Sequence, residues 1–417
     1  MGDVVKPRNL CKARTPALRW ALTHAAATAL LVILAIAGGW LWLNRPAASP
    51  VTAADAAEQR QWLAPGPWGR VSIRPVNIAP PMHAVEVPEV GPVEPRWYFP
   101  HHRRDELADF LASLDLSDAQ FEALLERALY RKAIEGYALR PSAEMVASLT
   151  PEVRSRIYRR LATSRLNREQ VNAYRYCGPD ITAWLRSSGI HERTRRWIET
   201  LTYRHGSVHF FADLPLVLDR IESQTERLKL VQALARESTF TLHLHVAPGE
   251  DVAPLIAWWG RGDRSSDVAA MLRSLADSDE GGSIDVVHLL PSFARARLYT
   301  YPRDADELAS GDSRDCHWTA LNFDRTGVDD RLANADFVAK TLEREYEAIN
   351  QPPQFGDVIA FIEDDHIYHS AVYIADDILF TKNGPRHSRP WMFIEMDAMK
   401  HFYPREGPIE RQVLRRR

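Results

Sequence analysis

Residues 355–384 have the sequence FGDVIAFIEDDHIYHSAVYIADDILFTKNG, and this stretch decides the fold of the C-terminal part of the chain. A turn at Gly356 leads into the apolar run 358–362, and a short hairpin then leads into a strand that starts at His369. A tight turn at residues 375–377 and a returning strand that ends at Asn383-Gly384 follow. The pattern therefore predicts an antiparallel sheet.

Upstream of this stretch, residues 313–321 have the sequence SRDCHWTAL. Cys316 follows residues of the capping type and stands at the start of a short apolar helix. The unpaired backbone donors and the positive dipole end of a helix start favour a thiolate over a thiol. Asp315 is expected to cap this helix, although a carboxylate too close to the sulfur would oppose ionisation.

A Cys at a helix start and a His on an adjacent strand are the two groups that nucleophilic acyl transfer needs. His369 would deprotonate the thiol of Cys316 and then protonate the leaving amine. Thr381 and Asn383 share one face of the returning strand, and Asn is a competent orienting partner for a catalytic His. We predict Asn383, rather than Thr381, as the third catalytic residue, and we expect Lys382 to be a solvated charge at a strand end.

At these residues the chain resembles the NlpC/P60 family of papain-like cysteine peptidases, over residues 298–417. The resemblance rests on three segments in the order that the family shows: Asp315-Cys316, Gly356-Asp357-Val358-Ile359-Ala360-Phe361 and His369-Ser370-Ala371-Val372-Tyr373-Ile374. It implies an α+β, papain-like fold in which a helix bearing the Cys packs on an antiparallel sheet. It also implies hydrolysis of amide bonds in peptidoglycan stem peptides, without a metal or a cofactor.

The chain departs from the family's pattern at two places. His317-Trp318 stand where the family usually has Ser-Gly after the nucleophile, and Thr381 is nearest to the position of the family's third polar residue, usually a His. The resemblance therefore supports the fold and the pair of Cys316 and His369 better than it supports the family's substrate.

Three alternatives remain open at this point. In the first alternative, Cys316 pairs with Cys177 in a structural disulfide, which an exported domain permits. In the second, His366 and His369 form a metal site, although residues three apart on a strand point to opposite faces. In the third, the protein is a noncatalytic relative that keeps the fold and serves as an envelope-binding or scaffold module.

The stretch 21–43 contains no Asp, Glu, Lys or Arg and is long enough to cross a bilayer. Basic residues dominate the preceding residues 1–20, so the positive-inside rule predicts a cytoplasmic N-terminus and export of everything after Asn44. We predict a single-pass protein of a bacterial inner membrane with its main domains outside the cytoplasm. The alternative is a cleaved signal peptide with its cleavage site near residues 54–56.

Eleven of the 27 prolines lie between Arg45 and Pro100, which predicts a semi-extended stalk over residues 44–100. Alternating apolar residues such as Val71 and Ile73 leave open an extended arm that packs on the domain surface.

The middle of the chain shows helical spacing first and mixed spacing later. We predict a helical domain over residues 101–206 and a mixed α/β region over residues 207–297, followed by the domain at 298–417. Expected helices and strands include a helix from Pro151 to Leu161 with Thr150 as its cap, a strand over 240–246 and a buried strand over 284–290. His243 and His245 on one strand face are expected to be solvated rather than metal ligands.

Composition excludes several classes of protein. The 417 residues carry a formal net charge of -3, which removes the usual electrostatic basis for binding nucleic acid. Three Cys are too few for a disulfide scaffold or a four-cysteine zinc site. The expected partners are thus the membrane, through residues 21–43, and peptidoglycan or another envelope peptide or amide.

Overall fold

The computed structural model describes residues 61–82, 85–88, 94–178, 181–185, 188–302, 314–384, 389–403 and 409–417. The predicted cytoplasmic segment 1–20 and transmembrane helix 21–43 lie outside these residues. Among the described residues, no helix combines the length and the apolar character needed to span a membrane. Residues 60–417 form one compact unit with helices and antiparallel sheets, which confirms the predicted α+β class.

Most helices are short and lie between strands. In the described residues they are α1 Arg104–Ala112, α2 Asp118–Glu126, α3 Ala143–Ser148, α4 Pro151–Ala162, α5 Arg168–Val171, α6 Ile181–Leu185, α7 Glu192–Leu201, α8 Leu214–Leu218, α9 Gln224–Leu234, α10 Ala253–Trp259, α11 Ser265–Ala276, α12 Ser292–Arg297, α13 Cys316–Asn322, α14 Ala335–Glu345 and α15 Met396–Phe402.

The strands form four sheets. In the described residues they are β1 Gln61–Trp62, β2 Arg70–Ile78, β3 Trp97–Phe99, β4 Leu129–Arg131, β5 Gly136–Leu139, β6 Tyr174–Tyr176, β7 Tyr203–His205, β8 Val208–Phe211, β9 Glu237–Val246, β10 Gly282–Asp285, β11 Tyr346–Ile349, β12 Val358–Glu363, β13 His366–Ala375, β14 Ile378–Lys382, β15 Trp391–Glu395 and β16 Glu410–Arg416.

The first sheet has the strand order β1-β2-β9-β10. Strand β2 pairs antiparallel with β9 along its whole length, from Arg70 opposite His245 to Ile78 opposite Glu237. Its inward side chains, including Val71, are buried. The prediction of a stalk is therefore wrong for this stretch, and the alternative of an arm packed on the domain is what the structure shows. Alternating apolar residues outweigh the prolines because they bury one face of β2.

The segment 101–206, predicted to be helical, also contains the strands β4, β5, β6 and β7. With β3 and β8, which flank the segment, they form two small sheets of the orders β3-β5-β4 and β6-β8-β7. Their strands have three or four residues, too few for periodicity to reveal them among longer helices. The predicted strand over 284–290 is also wrong beyond Asp285, because a 3₁₀ helix runs from Val286 to Leu289. The Asp285 side chain caps that helix by accepting from Val287 N, at 2.9 Å.

The C-terminal sheet has six antiparallel strands in the order β11-β16-β12-β13-β14-β15. Phe361 pairs with His369 across β12 and β13, and Val372 pairs with Phe380 across β13 and β14. Most side chains of the central strands are buried. This sheet confirms the antiparallel hairpins predicted from residues 355–384, although β13 begins at His366 rather than at His369. The sheet also supports the helix that starts at Cys316.

Candidate functional site

Helix α13 begins at Cys316, as the sequence predicts, and its start is held by Asp315. The Asp315 carboxylate accepts from the backbone N–H of His317 at 2.9 Å and of Trp318 at 3.2 Å. These bonds satisfy donors that a helix start otherwise leaves unpaired. The Thr319 hydroxyl donates to the Asp315 carbonyl at 2.7 Å and ties the first turn further. The side chain of Cys316 is buried, with 4% of its surface exposed.

Two hydrogen bonds dock α13 on the sheet. Nδ1 of His317 lies 2.9 Å from the Ser370 hydroxyl on β13. The Trp391 indole donates to the Thr319 hydroxyl at 3.0 Å, which links the helix to β15. Together these contacts hold the helix start, and with it the thiol, against the strand that carries His369.

His369 is fully buried and both of its ring nitrogens face hydroxyl groups. Nε2 lies 3.0 Å from Thr381 Oγ1, and Nδ1 lies 3.1 Å from the Tyr403 hydroxyl. Thr381 also donates to the Ser370 carbonyl at 3.4 Å, which leaves its oxygen to accept from Nε2–H. Nδ1 then accepts from the Tyr403 hydroxyl, so in this tautomer both ring nitrogens of His369 have a hydrogen-bond partner.

The structure does not bring Cys316 and His369 into direct hydrogen-bond contact, as far as the described residues show. They share Tyr403 as a neighbour: its hydroxyl contacts Nδ1, and its phenol interacts electrostatically with the Cys316 thiol. Burial and the charge of Cys316 raise the pKa of Tyr403, so Tyr403 stays a neutral hydrogen-bond donor.

Asn383, predicted as the third catalytic residue, does not contact His369, and Thr381 takes that place. Strand β14 ends at Lys382, so Asn383 lies beyond the ladder. Its Nδ2 lies 3.8 Å from the sulfur of Met392, while its buried Oδ1 has no hydrogen-bond partner in the described structure. By strand alternation, either Thr381 or Asn383 could have contacted His369. Because β14 ends at Lys382, Thr381 is the residue that does so.

Lys382 is fully buried, so the expectation of a solvated charge is wrong. Its ammonium donates to the Gly384 carbonyl and lies 5.8 Å from the centroid of the Trp391 ring. Burial lowers the pKa of Lys382 to about 8, while the charges of Asp315 and Cys316 act in the opposite direction. The candidate site thus contains a buried cation that the sequence pattern did not reveal.

His317 is a second imidazole close to the thiol. Ligand-type atoms of Asp315, Cys316 and His317 all lie within 4.8 Å of one another. Burial lowers the pKa of His317 and the Asp315 charge raises it, so the net shift favours the neutral ring. The three groups are close enough for a metal ion, but one Asp315 oxygen already caps the helix. The sequence carried one signal for His317 as a site residue: it directly follows the candidate nucleophile Cys316.

Gly356 and Asp357, which carry part of the family resemblance, have a structural role here. Asp357 is buried and accepts from Arg415 at 3.0 and 2.6 Å in a bidentate pair. It also accepts from the backbone N–H of Gln354 at 2.8 Å. Gly356 has φ of 89°, a backbone conformation that favours glycine. These contacts fix the turn that starts β12.

Two of the alternatives drawn from the sequence are wrong. Cys177 and Cys316 are both free thiols, and burial raises the pKa of Cys177 to about 12. An inert, protonated Cys177 is thus neither a disulfide partner nor a reactive group here. His366 is exposed and its Nδ1 lies 2.8 Å from the Asp364 carbonyl, whereas His369 is buried in its own network, so the two do not form a metal site.

Fold and site together define a mixed α+β protein with a buried thiol at a capped helix start, docked on an antiparallel sheet. Comparison with known proteins finds no matching family model, no matching curated protein and no matching solved structure.

Proposed function

We propose that residues 298–417 form a papain-like, NlpC/P60-type thiol amidase that hydrolyses amide bonds of the bacterial cell envelope, such as those in peptidoglycan stem peptides. The observation that carries the proposal is the position of Cys316 at a capped helix start that packs on the strand bearing His369. A helix start favours the thiolate, and the thiolate is the nucleophile in acyl transfer.

In the proposed reaction the Cys316 thiolate attacks the amide carbonyl carbon and forms a C–S bond. The C–N bond breaks, and the amine leaves with a proton from the protonated His369. Water then hydrolyses the thioester, which releases a carboxylate and returns the thiol. Thr381 positions the His369 ring through Nε2, and Nδ1 is the nitrogen left to take the thiol proton.

The Tyr403 hydroxyl occupies Nδ1 in this structure, so proton transfer from Cys316 requires that contact to open. This same observation favours a second candidate, a noncatalytic envelope-binding or scaffold protein. In that function the network of His369, Thr381 and Tyr403 has only to hold the sheet together, and no contact between Cys316 and His369 is needed.

The proposal includes a membrane anchor at residues 21–43, with the amidase outside the cytoplasm. The supporting observation is the uncharged sequence of that stretch and the basic residues before it.

A single experiment separates these functions. The full chain, in detergent, is incubated with purified peptidoglycan, and released stem-peptide fragments are measured by mass spectrometry. We expect release by the wild type and by Cys177→Ala, and a loss of roughly 10³-fold or more in Cys316→Ala. When cells are fractionated, the activity should be found in the membrane fraction, and deletion of residues 1–43 should move it to the soluble fraction. If the wild type releases nothing and Cys316 resists iodoacetamide, the noncatalytic function stands instead.

A further inference from the structure

A cavity of about 560 Å³ lies in the middle part of the chain, and none of the candidate-site residues named above lines it. Its walls come from β3 and the residues before it, from α5, and from the turn between β8 and α8. Trp97, Ala212 and Leu216 give these walls buried apolar surface. The volume falls within the range of about 300–1,000 Å³ that is typical of pockets for small ligands.

Two buried side-chain oxygens of the cavity lining have no hydrogen-bond partner in the described residues: Oδ2 of Asp213 and Oε1 of Gln170. Each of these two residues has 5% of its surface exposed. Buried polar groups in proteins are nearly always hydrogen-bonded, because an acceptor that loses water without gaining a donor destabilises the fold. Two such acceptors in the lining of one cavity indicate that the cavity receives hydrogen-bond donors.

The fold holds both acceptors in place. The Tyr158 hydroxyl donates to Oδ1 of Asp213 at 2.7 Å, which leaves Oδ2 as the oxygen for a further donor. The Asn167 side chain accepts from Tyr98 N at 2.8 Å and donates to Tyr98 O at 2.9 Å. These two bonds fix β3 to the start of α5, the helix that carries Gln170. A ligand therefore meets a site that is already ordered, which lowers the entropic cost of binding.

The two acceptors select the chemistry of the ligand. A primary ammonium group has three donors and no acceptor, whereas a hydroxyl brings lone pairs that need donors of their own. An ammonium also balances the charge of Asp213 when that carboxyl is ionised. The buried Arg154 guanidinium acts on Asp213 electrostatically, but its described hydrogen bonds go to the carbonyls of Val146, Leu149 and Thr200. A donor for Oδ2 is thus left to a ligand.

The rim of the cavity carries charge of both signs. Two guanidinium groups and two carboxylates line it, and all four residues are exposed: Arg96, Arg168, Glu94 and Glu169. These four charges cancel, so the rim suits a ligand that is itself a zwitterion. Arginine pairs well with carboxylates, and Arg96 and Arg168 are therefore suited to the acidic end of a ligand whose ammonium lies at the base.

We propose that this cavity binds the free N-terminus of a short apolar peptide, whose ammonium donates to Asp213 and Gln170. The apolar side chain of the peptide lies against Trp97 and Leu216, and its carboxylate lies at the rim. This binding site goes beyond the proposed function, because it uses neither Cys316 nor any other residue of the candidate site.

The test measures binding of the dipeptide leucyl-alanine to the full chain in detergent, by isothermal titration calorimetry at pH 7. We expect N-acetyl-leucyl-alanine, which lacks the ammonium, to bind at least about tenfold more weakly. Asp213→Asn should weaken binding of leucyl-alanine about tenfold, because it removes the buried charge and keeps an acceptor for Tyr158. Asp219→Asn is the matched control, since it removes an exposed carboxyl, and it should leave the affinity unchanged.

The pH dependence of the affinity is a second measurement. Burial raises the pKa of Asp213 to about 6, so roughly nine tenths of this carboxyl is ionised at pH 7 and roughly one tenth at pH 5. The affinity of the wild type should therefore fall about tenfold from pH 7 to pH 5, and that of Asp213→Asn should not. Tyr158 and Arg154 of α4, Glu169 of α5 and Tyr203 of β7 also face Asp213. Glu169→Gln should keep the dependence.

Equal affinities for the free and the N-acetylated dipeptide would overturn the inference, and this comparison needs only the wild type, so it holds even if Asp213→Asn does not fold. Absence of leucyl-alanine binding up to about 10 mM would also contradict it. Cys316→Ala should bind the dipeptide like the wild type. A chain that binds leucyl-alanine but releases no stem peptide keeps this inference and loses the proposed function, and the opposite pair of results keeps the function alone.

Discussion

Asp213 is a buried carboxyl group far from the candidate nucleophile in sequence, with 5% of its surface exposed. Tyr158 donates to one of its oxygens at 2.7 Å, while the other has no hydrogen-bond partner in the described residues. Burial disfavours the ionised form and raises the pKa of Asp213 to about 6. The hydrogen bond from Tyr158 lowers this pKa, but it offsets only part of the effect of burial. The native state thus binds the Asp213 proton more tightly than the unfolded chain does.

This difference predicts a specific pH dependence of stability. The unfolded carboxyl titrates near its ordinary value of 3.8 and the folded one near 6, so the unfolding free energy should fall as pH rises from about 4 to about 6. A shift of about two units corresponds to about 3 kcal/mol. Asp213→Asn keeps an acceptor for Tyr158 and removes the titration. Urea unfolding at pH 4, 5, 6 and 7 should show a flatter profile in this variant.

Asp219→Asn is the control for this prediction, because it removes an exposed carboxyl six residues further along the chain. Its profile should run parallel to that of the wild type. If the unfolding free energy changed by the same amount between pH 4 and 6 in the wild type, in Asp213→Asn and in Asp219→Asn, Asp213 would be ruled out as the source of the pH dependence.

At the scale of the element, helix α4 shows which helical features local sequence determines. The Thr150 hydroxyl accepts from Val153 N at 3.2 Å, and Pro151 occupies the first helical position, as predicted. Val153, Ile157 and Leu161 recur at helical spacing and are all buried. Cap, proline and apolar spacing agree, so this helix could be predicted nearly to its last residue.

We expect Thr150→Ala to lower the free energy of unfolding by about 1 kcal/mol, because Val153 N loses its partner at the helix start. Thr163→Ala is the matched control at the other end of the same helix, where the hydroxyl is exposed and donates only to the Arg160 carbonyl. The control should change stability by less than about 0.5 kcal/mol. Chemical denaturation of both variants measures the difference, and equal losses would contradict a capping role for Thr150.

At the scale of the whole molecule, strand β9 connects the first sheet to the C-terminal sheet. Strand β15 lies at an edge of the C-terminal sheet, where backbone groups lack a neighbouring strand. The Thr239 hydroxyl satisfies two of these groups, since it donates to Phe393 O at 2.8 Å and accepts from Phe393 N at 3.0 Å. The buried ion pair of Arg389 with Glu237 lies on the same side. Residues 298–417 are therefore supported by β9.

Thr239→Val should destabilise the protein by about 2 kcal/mol, because it leaves a buried N–H and a buried carbonyl of Phe393 unpaired. Thr241→Val, on the same strand but only partly buried, is the control and should have little effect. The unfolding transition is followed by tryptophan fluorescence and by circular dichroism. Two separate transitions in the wild type would show that the C-terminal sheet does not depend on β9.

Much of the candidate site could be predicted from the sequence. Helix α13 starts at Cys316 under an Asp315 cap, and His369 stands on the next hairpin, because both depend on local hydrogen bonds and on alternation along a strand. The identity of the residue against His369 could not be predicted. Thr381 and Asn383 share a face, and only the position at which β14 leaves its ladder separates them.

The sequence by itself determined the helix start at Cys316, the hairpins of residues 355–384 and the residues that could carry chemistry, since these follow from interactions within a few positions of the chain. Tertiary structure alone decided that β2 pairs with β9 and that the side chain of Lys382 is buried. The physical reason is burial: whether a strand of a proline-rich segment or a lysine is removed from water depends on surfaces contributed by distant segments. Those surfaces come together only when the chain packs.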